Sequence, residues 1–164
     1  MKINILNELK DGAWGGGNQF QQALRKYLRE SDSYVDEAKN SDAIFANSHH
    51  WGENLWEVFK LKRYNPKLVI IHRVDGPISV VRAQSRSMKV DMAIIRFNDF
   101  FADGTIFQSK WSKRQCFSIG MNQQKPNVVV LNAPDPEIFY TATRSQKQNY
   151  KIRLIASSWS GNWR

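Results

Sequence analysis

Residues 2–29, KINILNELKDGAWGGGNQFQQALRKYLR, decide the fold. Ile3, Ile5, Leu6 and Leu9 make a short apolar run. Gly12, Gly15, Gly16 and Gly17 interrupt it, and Phe20, Leu24, Tyr27 and Leu28 then recur at helical spacing. That order predicts a buried strand, a glycine loop and an amphipathic helix. Glycine lets the backbone come close to a ligand, and the N–H groups that open a helix favour an anion such as a diphosphate. Asn18 is the expected helix cap. Taken alone, the same glycines serve equally well as a loose turn.

Working outward, short apolar runs keep alternating with helical patterns. Ala43, Ile44, Phe45 and Ala46 form a brief strand that ends in Asn47, Ser48, His49, His50 and Trp51, and Asn54 is placed to cap the next helix. Tyr34 and Val35 are a further short strand in an otherwise polar stretch. Residues 67–71 are the clearest buried strand, with Leu68, Val69, Ile70 and Ile71 in succession, as expected where helices cover both faces of a sheet. It runs directly into His72, Arg73, Val74, Asp75, Gly76 and Pro77. A helix over 87–101, a strand over 105–108, a helix over 110–121 and a central strand over 128–131 complete the series. Residues 141–150 are polar and read as a linker, and 151–164 begin another strand and loop. The expected architecture is a doubly wound, Rossmann-like α/β layer with a mostly parallel sheet and helices on both faces.

At 164 residues the chain has room for one core, burying about 70% of the surface its unfolded chain exposes. It has no apolar run long enough to span a bilayer and no pattern of a secretory signal, so a cytosolic setting is expected, compatible with weak peripheral contact at the anionic inner face of the membrane. Cys116 is the single cysteine, which excludes an internal disulfide and a multi-cysteine metal site. Lysine and arginine number 24 against 15 acidic residues, a net charge of +9 that favours a phosphorylated or polyanionic partner, or an anionic membrane face.

The order of segments resembles the N-terminal domain of a retaining glycosyltransferase of the GT-B fold, of the group-1 or family-4 type. The stretches that carry the resemblance are Gly15-Gly16-Gly17-Asn18-Gln19-Phe20, Ala43-Ile44-Phe45-Ala46-Asn47-Ser48, Val69 through Pro77, Thr105-Ile106-Phe107-Gln108-Ser109-Lys110-Trp111, and Val130 through Phe139. The resemblance covers residues 1–140 as an acceptor-side domain. It implies a second Rossmann-like domain across a cleft, a nucleotide-sugar donor, a sugar, glycan or lipid-linked acceptor, and no metal or cofactor. In that picture Gly15, Gly16 and Gly17 lie beneath the donor phosphates and His72 points into the cleft near the transferred sugar. Arg73 and Asp75 shape the acceptor pocket, bordered by His49, His50 and Trp51. The family's donor-holding cations and glutamates belong to the second domain. Residues 151–164 resemble its opening strand, Arg164 stands where the first of those cations would be, and a truncated chain without full activity is expected.

The residues also admit other readings. His49 and His50 are adjacent, so on extended backbone they point to opposite sides, and no carboxylate or cysteine joins them at metal-ligand spacing. Asp75 and Glu53 would make a glycosidase pair only at a suitable separation. A basic Rossmann-like module for nucleic acid or an anionic membrane is the rival function, but the cations are spread over several helices rather than gathered on one. A dinucleotide oxidoreductase is disfavoured by the glycine spacing.

Overall fold

The computed structural model describes residues 1–11, 15–48, 51–81 and 87–132, with the side chains of 51–54 set aside. The expectations for Gly12, His49, His50, the 141–150 linker, the 151–164 strand and Arg164 lie outside these residues. In chain order the elements are β1 (Ile3–Ile5), α1 (Gly16–Glu30), a 3-10 turn (Ala38–Asn40), β2 (Ala43–Asn47), α2 (Trp51–Tyr64) and β3 (Val69–Val74). Then come α3 (Ile78–Val81), α4 (Ser87–Phe101), β4 (Gly104–Phe107), α5 (Lys110–Ser118) and β5 (Asn127–Val129).

The five strands form one all-parallel sheet in the order β1-β2-β3-β4-β5. Tyr34 adds a parallel bridge to Ile3 on the outer side of β1. The chain therefore leaves β1 outward through α1 to Tyr34, then returns across β1 to reach β2. That reversal is what makes the layer doubly wound and puts a topological switch point at the carboxyl ends of β1 and β2.

Strand alternation sorts the core onto two faces. Ile5, Phe45 and Ile71 share a register row and pack under Phe20, Leu24 and Leu28 of α1. On the opposite face Ala46 and Ile70 meet Val58 of α2 and Phe97 of α4, while Val74 and Phe107 meet Ile94, Ile95 and Cys116. Val58, Ile70 and Phe107 are wholly enclosed, and each contributes about 1.5–3 kcal/mol by leaving water. No helix among the described residues is long and apolar enough to cross a membrane.

Four expectations need correction. Asn18 does not cap α1: Gly15 takes that position, and the Asn18 amide bridges back to Lys10, accepting from its N–H at 2.9 Å and donating to its carbonyl at 2.8 Å. Asn54 does not cap α2, which already begins at Trp51. β3 runs on to Val74, because His72 and Arg73 pair with both β2 and β4, and Val74 pairs with Phe107 of β4. The strand expected to be central, β5, pairs with β4 alone among the described residues and lies at the edge.

Candidate functional site

The extension of β3 sends His72 and Arg73 to opposite faces. Arg73 points toward α1 and is 1% exposed. Its guanidinium lies 4.5 Å from the centre of the Phe20 ring. One terminal nitrogen donates to Asn47 Oδ1 at 2.7 Å and to the carboxylate of Asp75, and the other to Asn132 Oδ1 at 2.8 Å. Asn47, Arg73 with Asp75, and Asn132 stand at the carboxyl ends of β2, β3 and β5, so a single cation ties three strand ends together. Asn7, just past β1, joins the set by accepting the Asn47 N–H at 3.0 Å. A buried arginine is tolerable because a carboxylate and several amide oxygens replace its water.

Asp75 keeps 35% of its side chain exposed, so the pair faces solvent on the acidic side. Its backbone carbonyl is held twice, by Ser112 Oγ at 2.7 Å and by the Gln108 amide. Gly76 follows with φ +118°, and a Cβ there would come within 3.1 Å of both Ser112 Oγ and the Trp111 ring. Only glycine suits both the dihedral and the space. The loop is then fastened from behind: the buried Asp91 of α4 accepts the N–H groups of Ile78 and Ser79, each at 2.8 Å.

These contacts leave a cavity of about 370 Å³ at the carboxyl edge, lined by Ser48, Asp75, Gly76, Gln108, Trp111 and the apolar Ile78, among others. Trp111 is 39% exposed. An indole face, a half-exposed carboxylate, an amide and a hydroxyl within one cavity suit a polyhydroxylated ligand: the ring covers C–H surface and the polar groups exchange hydrogen bonds with hydroxyls.

Among the three glycines only Gly17 is in close contact. A Cβ on Gly17 would lie 3.0 Å from Asn47 Nδ2 and 3.6 Å from Asp75 Oδ2, whereas Gly15 and Gly16 have open space. The start of α1 therefore sits over the Arg73–Asp75 pair, and an anion arriving there would meet the Asp75 carboxylate beside the guanidinium.

His72 departs from the expectation that it faces a cleft. Its ring is fully enclosed on the α4 side, edge-on to Phe97 with centroids 4.9 Å apart, and Nδ1 accepts from Asn98 Nδ2 at 3.0 Å. Asn98 also donates to Thr105 Oγ1 at 2.7 Å. Burial, aided by the positive charge of Lys125, lowers the imidazole pKa from 6.5 to about 3, so the ring is neutral at ordinary pH.

The structure thus brings together Gly17, Arg73 and Asp75, and sets His72 apart from them. The backbone of Trp51 opens α2, close in sequence to Ser48 at the cavity. Trp111 stands at the ligand edge where the sequence placed it, whereas Asn47, Ser48, Gln108 and Asn132 were not singled out as site residues by sequence. Their signal was available: Asn47, Gln108 and Asn132 each follow an apolar run directly, as the His72-Arg73 pair does. No group of three or more His, Cys, Asp or Glu side chains able to hold a metal occurs among the described residues. No family model, curated protein or solved structure matches the chain.

Proposed function

We propose that this chain is the acceptor-side domain of a retaining, metal-independent GT-B glycosyltransferase, and that the cavity between Ser48, Asp75 and Trp111 receives the sugar that accepts the transferred glycosyl group. The observation that carries the reading is the cavity itself: it opens at the carboxyl edge of a doubly wound sheet, where open α/β sheets place ligands, and it combines an aromatic face with hydrogen-bonding groups. The segment order described above supplies the family. Asp75 and Trp111 contact the acceptor in this reading. Arg73 is a positioning residue that holds Asp75, and the close approach of Gly17 sets the wall against which a nucleotide-sugar donor is presented. The enclosed His72 serves the site by holding β3 against α4 rather than by touching sugar.

Isothermal titration with mono- and disaccharides, nucleotide-sugars, and single- and double-stranded oligonucleotides tests this. Saccharide binding that survives high salt is expected. Oligonucleotide binding with a steep salt dependence, and no saccharide affinity, would replace the proposal with the nucleic-acid reading.

A further inference from the structure

The outward side of α4 carries an exposed apolar stripe. Met88, Met92, Arg96 and Phe100 recur every four residues, which places them along one line of the helix. Phe100 is 77% exposed, Met88 53% and Met92 37%. With Leu55 of α2 they border a groove of about 540 Å³, and the only polar side chains lining it among the described residues are the cations Lys89 and Arg96. On α2, Trp56 and Phe59 stack at 5.4 Å in nearly parallel planes, 63% and 45% exposed, with the Lys60 ammonium 5.5 Å from the Trp56 ring centre. On α3, Val80 and Val81 are also exposed, and Val81 lines the cavity at the carboxyl edge.

We infer that this face, the groove on α4 with the adjoining Trp56–Phe59 pair of α2, docks on an anionic lipid bilayer. Cations beside aromatic and thioether side chains suit that boundary: ammonium and guanidinium groups reach headgroup phosphates while the rings and Met side chains enter the acyl margin. The charge sign selects the occupant. A second copy of the chain would bring the same +9 and be repelled. An acidic peptide would find cations but no hydrogen-bonding acceptor or neutral donor side chain in the groove among the described residues.

Co-sedimentation of the chain with vesicles of phosphatidylcholine alone, and of phosphatidylcholine with phosphatidylglycerol, tests the inference without reference to any sugar chemistry. Binding to the mixed vesicles alone is expected. Lys89→Gln and Arg96→Gln should each weaken it about fivefold. Phe100→Ser with Met92→Ser, which leaves the net charge unchanged, should weaken it about tenfold through lost apolar burial. Phe100→Ser alone, at a largely exposed side chain, gives the same direction of change without threatening the core. Wild-type-like binding by both apolar variants would show that charge alone drives adsorption and would overturn the docking face. So would sedimentation-velocity dimers of the wild-type chain that these variants convert to monomers.

Discussion

Arg73 of β3 and Phe20 of α1 meet with the guanidinium 4.5 Å from the ring centre, so the helix that follows the glycine loop is fastened to the sheet through the same side chain that binds Asp75. The two members of the ion pair are unequally placed, the arginine 1% and the carboxylate 35% exposed in their side chains. Asp75→Asn therefore leaves an enclosed positive charge uncompensated and should cost about 3 kcal/mol in chemical denaturation. Adding Arg73→Met should recover part of that loss, because the stranded charge is gone. A double variant less stable than Asp75→Asn would contradict this.

The glycines of the first loop separate by contact. Gly16→Ala meets no atom within 4 Å and should stabilise the chain by about 0.5–1 kcal/mol through helix propensity. Gly17→Ala gains the same propensity but must displace Asn47 Nδ2 at 3.0 Å. Thermal melts should show a gain for Gly16→Ala alone, and the Asn47 side-chain amide resonances should move only in Gly17→Ala.

Gly76→Ala forces a side chain into φ +118° and against Ser112 and Trp111. A loss of more than about 1 kcal/mol is expected, with altered near-ultraviolet dichroism from Trp111. An unchanged melt would mean that the loop relaxes freely, against the fastening by Asp91, Gln108 and Ser112.

The buried imidazole of His72 gives the fold a pH dependence whose sign is fixed. Between its native pKa of about 3 and the ordinary 6.5, the unfolded chain binds a proton that the native chain refuses. Stability is therefore complete above pH 6.5 and falls as the pH drops, by up to about 1.4 kcal/mol per unit. His72→Gln should flatten this slope relative to wild type in denaturant titrations at successive pH values.

Cys116 is enclosed beneath β4, and burial together with the negative charge of Asp91 raises its thiol to about pKa 12. Labelling by an aromatic disulfide reagent should proceed only at the rate of opening of the core, and should accelerate in step with denaturant. Fast labelling of native protein would contradict the packing of α5 on the sheet.

Much of the fold was legible because its signals are local. The four apolar residues 43–46 read as a brief strand and are one, buried throughout and extended by Asn47, and the helix over 87–101 has the bounds that its spacing gave. The helix starts were misread because a cap is decided by what the asparagine meets in space: Asn18 finds Lys10 rather than the turn ahead of it. The side of His72 was misread for a related reason. Ending β3 at Ile71 left the next residues without a face, whereas pairing through Val74 places His72 with Ile70 on the α4 side and Arg73 on the α1 side. Asn47, Gln108 and Asn132 are ordinary polar residues in sequence, and they become a set only when the fold brings their side-chain oxygens, at the ends of β2, β4 and β5, to the Arg73 guanidinium, Gln108 at 3.4 Å.

The carboxyl-edge cavity as a saccharide site is tested most directly by heteronuclear NMR of the labelled chain titrated with the best-binding saccharide, in wild type and Trp111→Ala. Shifts confined to the amides of Ser48, Asp75, Gly76, Gln108 and Trp111 are expected, and Trp111→Ala should abolish them while leaving the remaining spectrum folded. Saccharide-induced shifts that lie elsewhere, or that persist undiminished in Trp111→Ala, would contradict it.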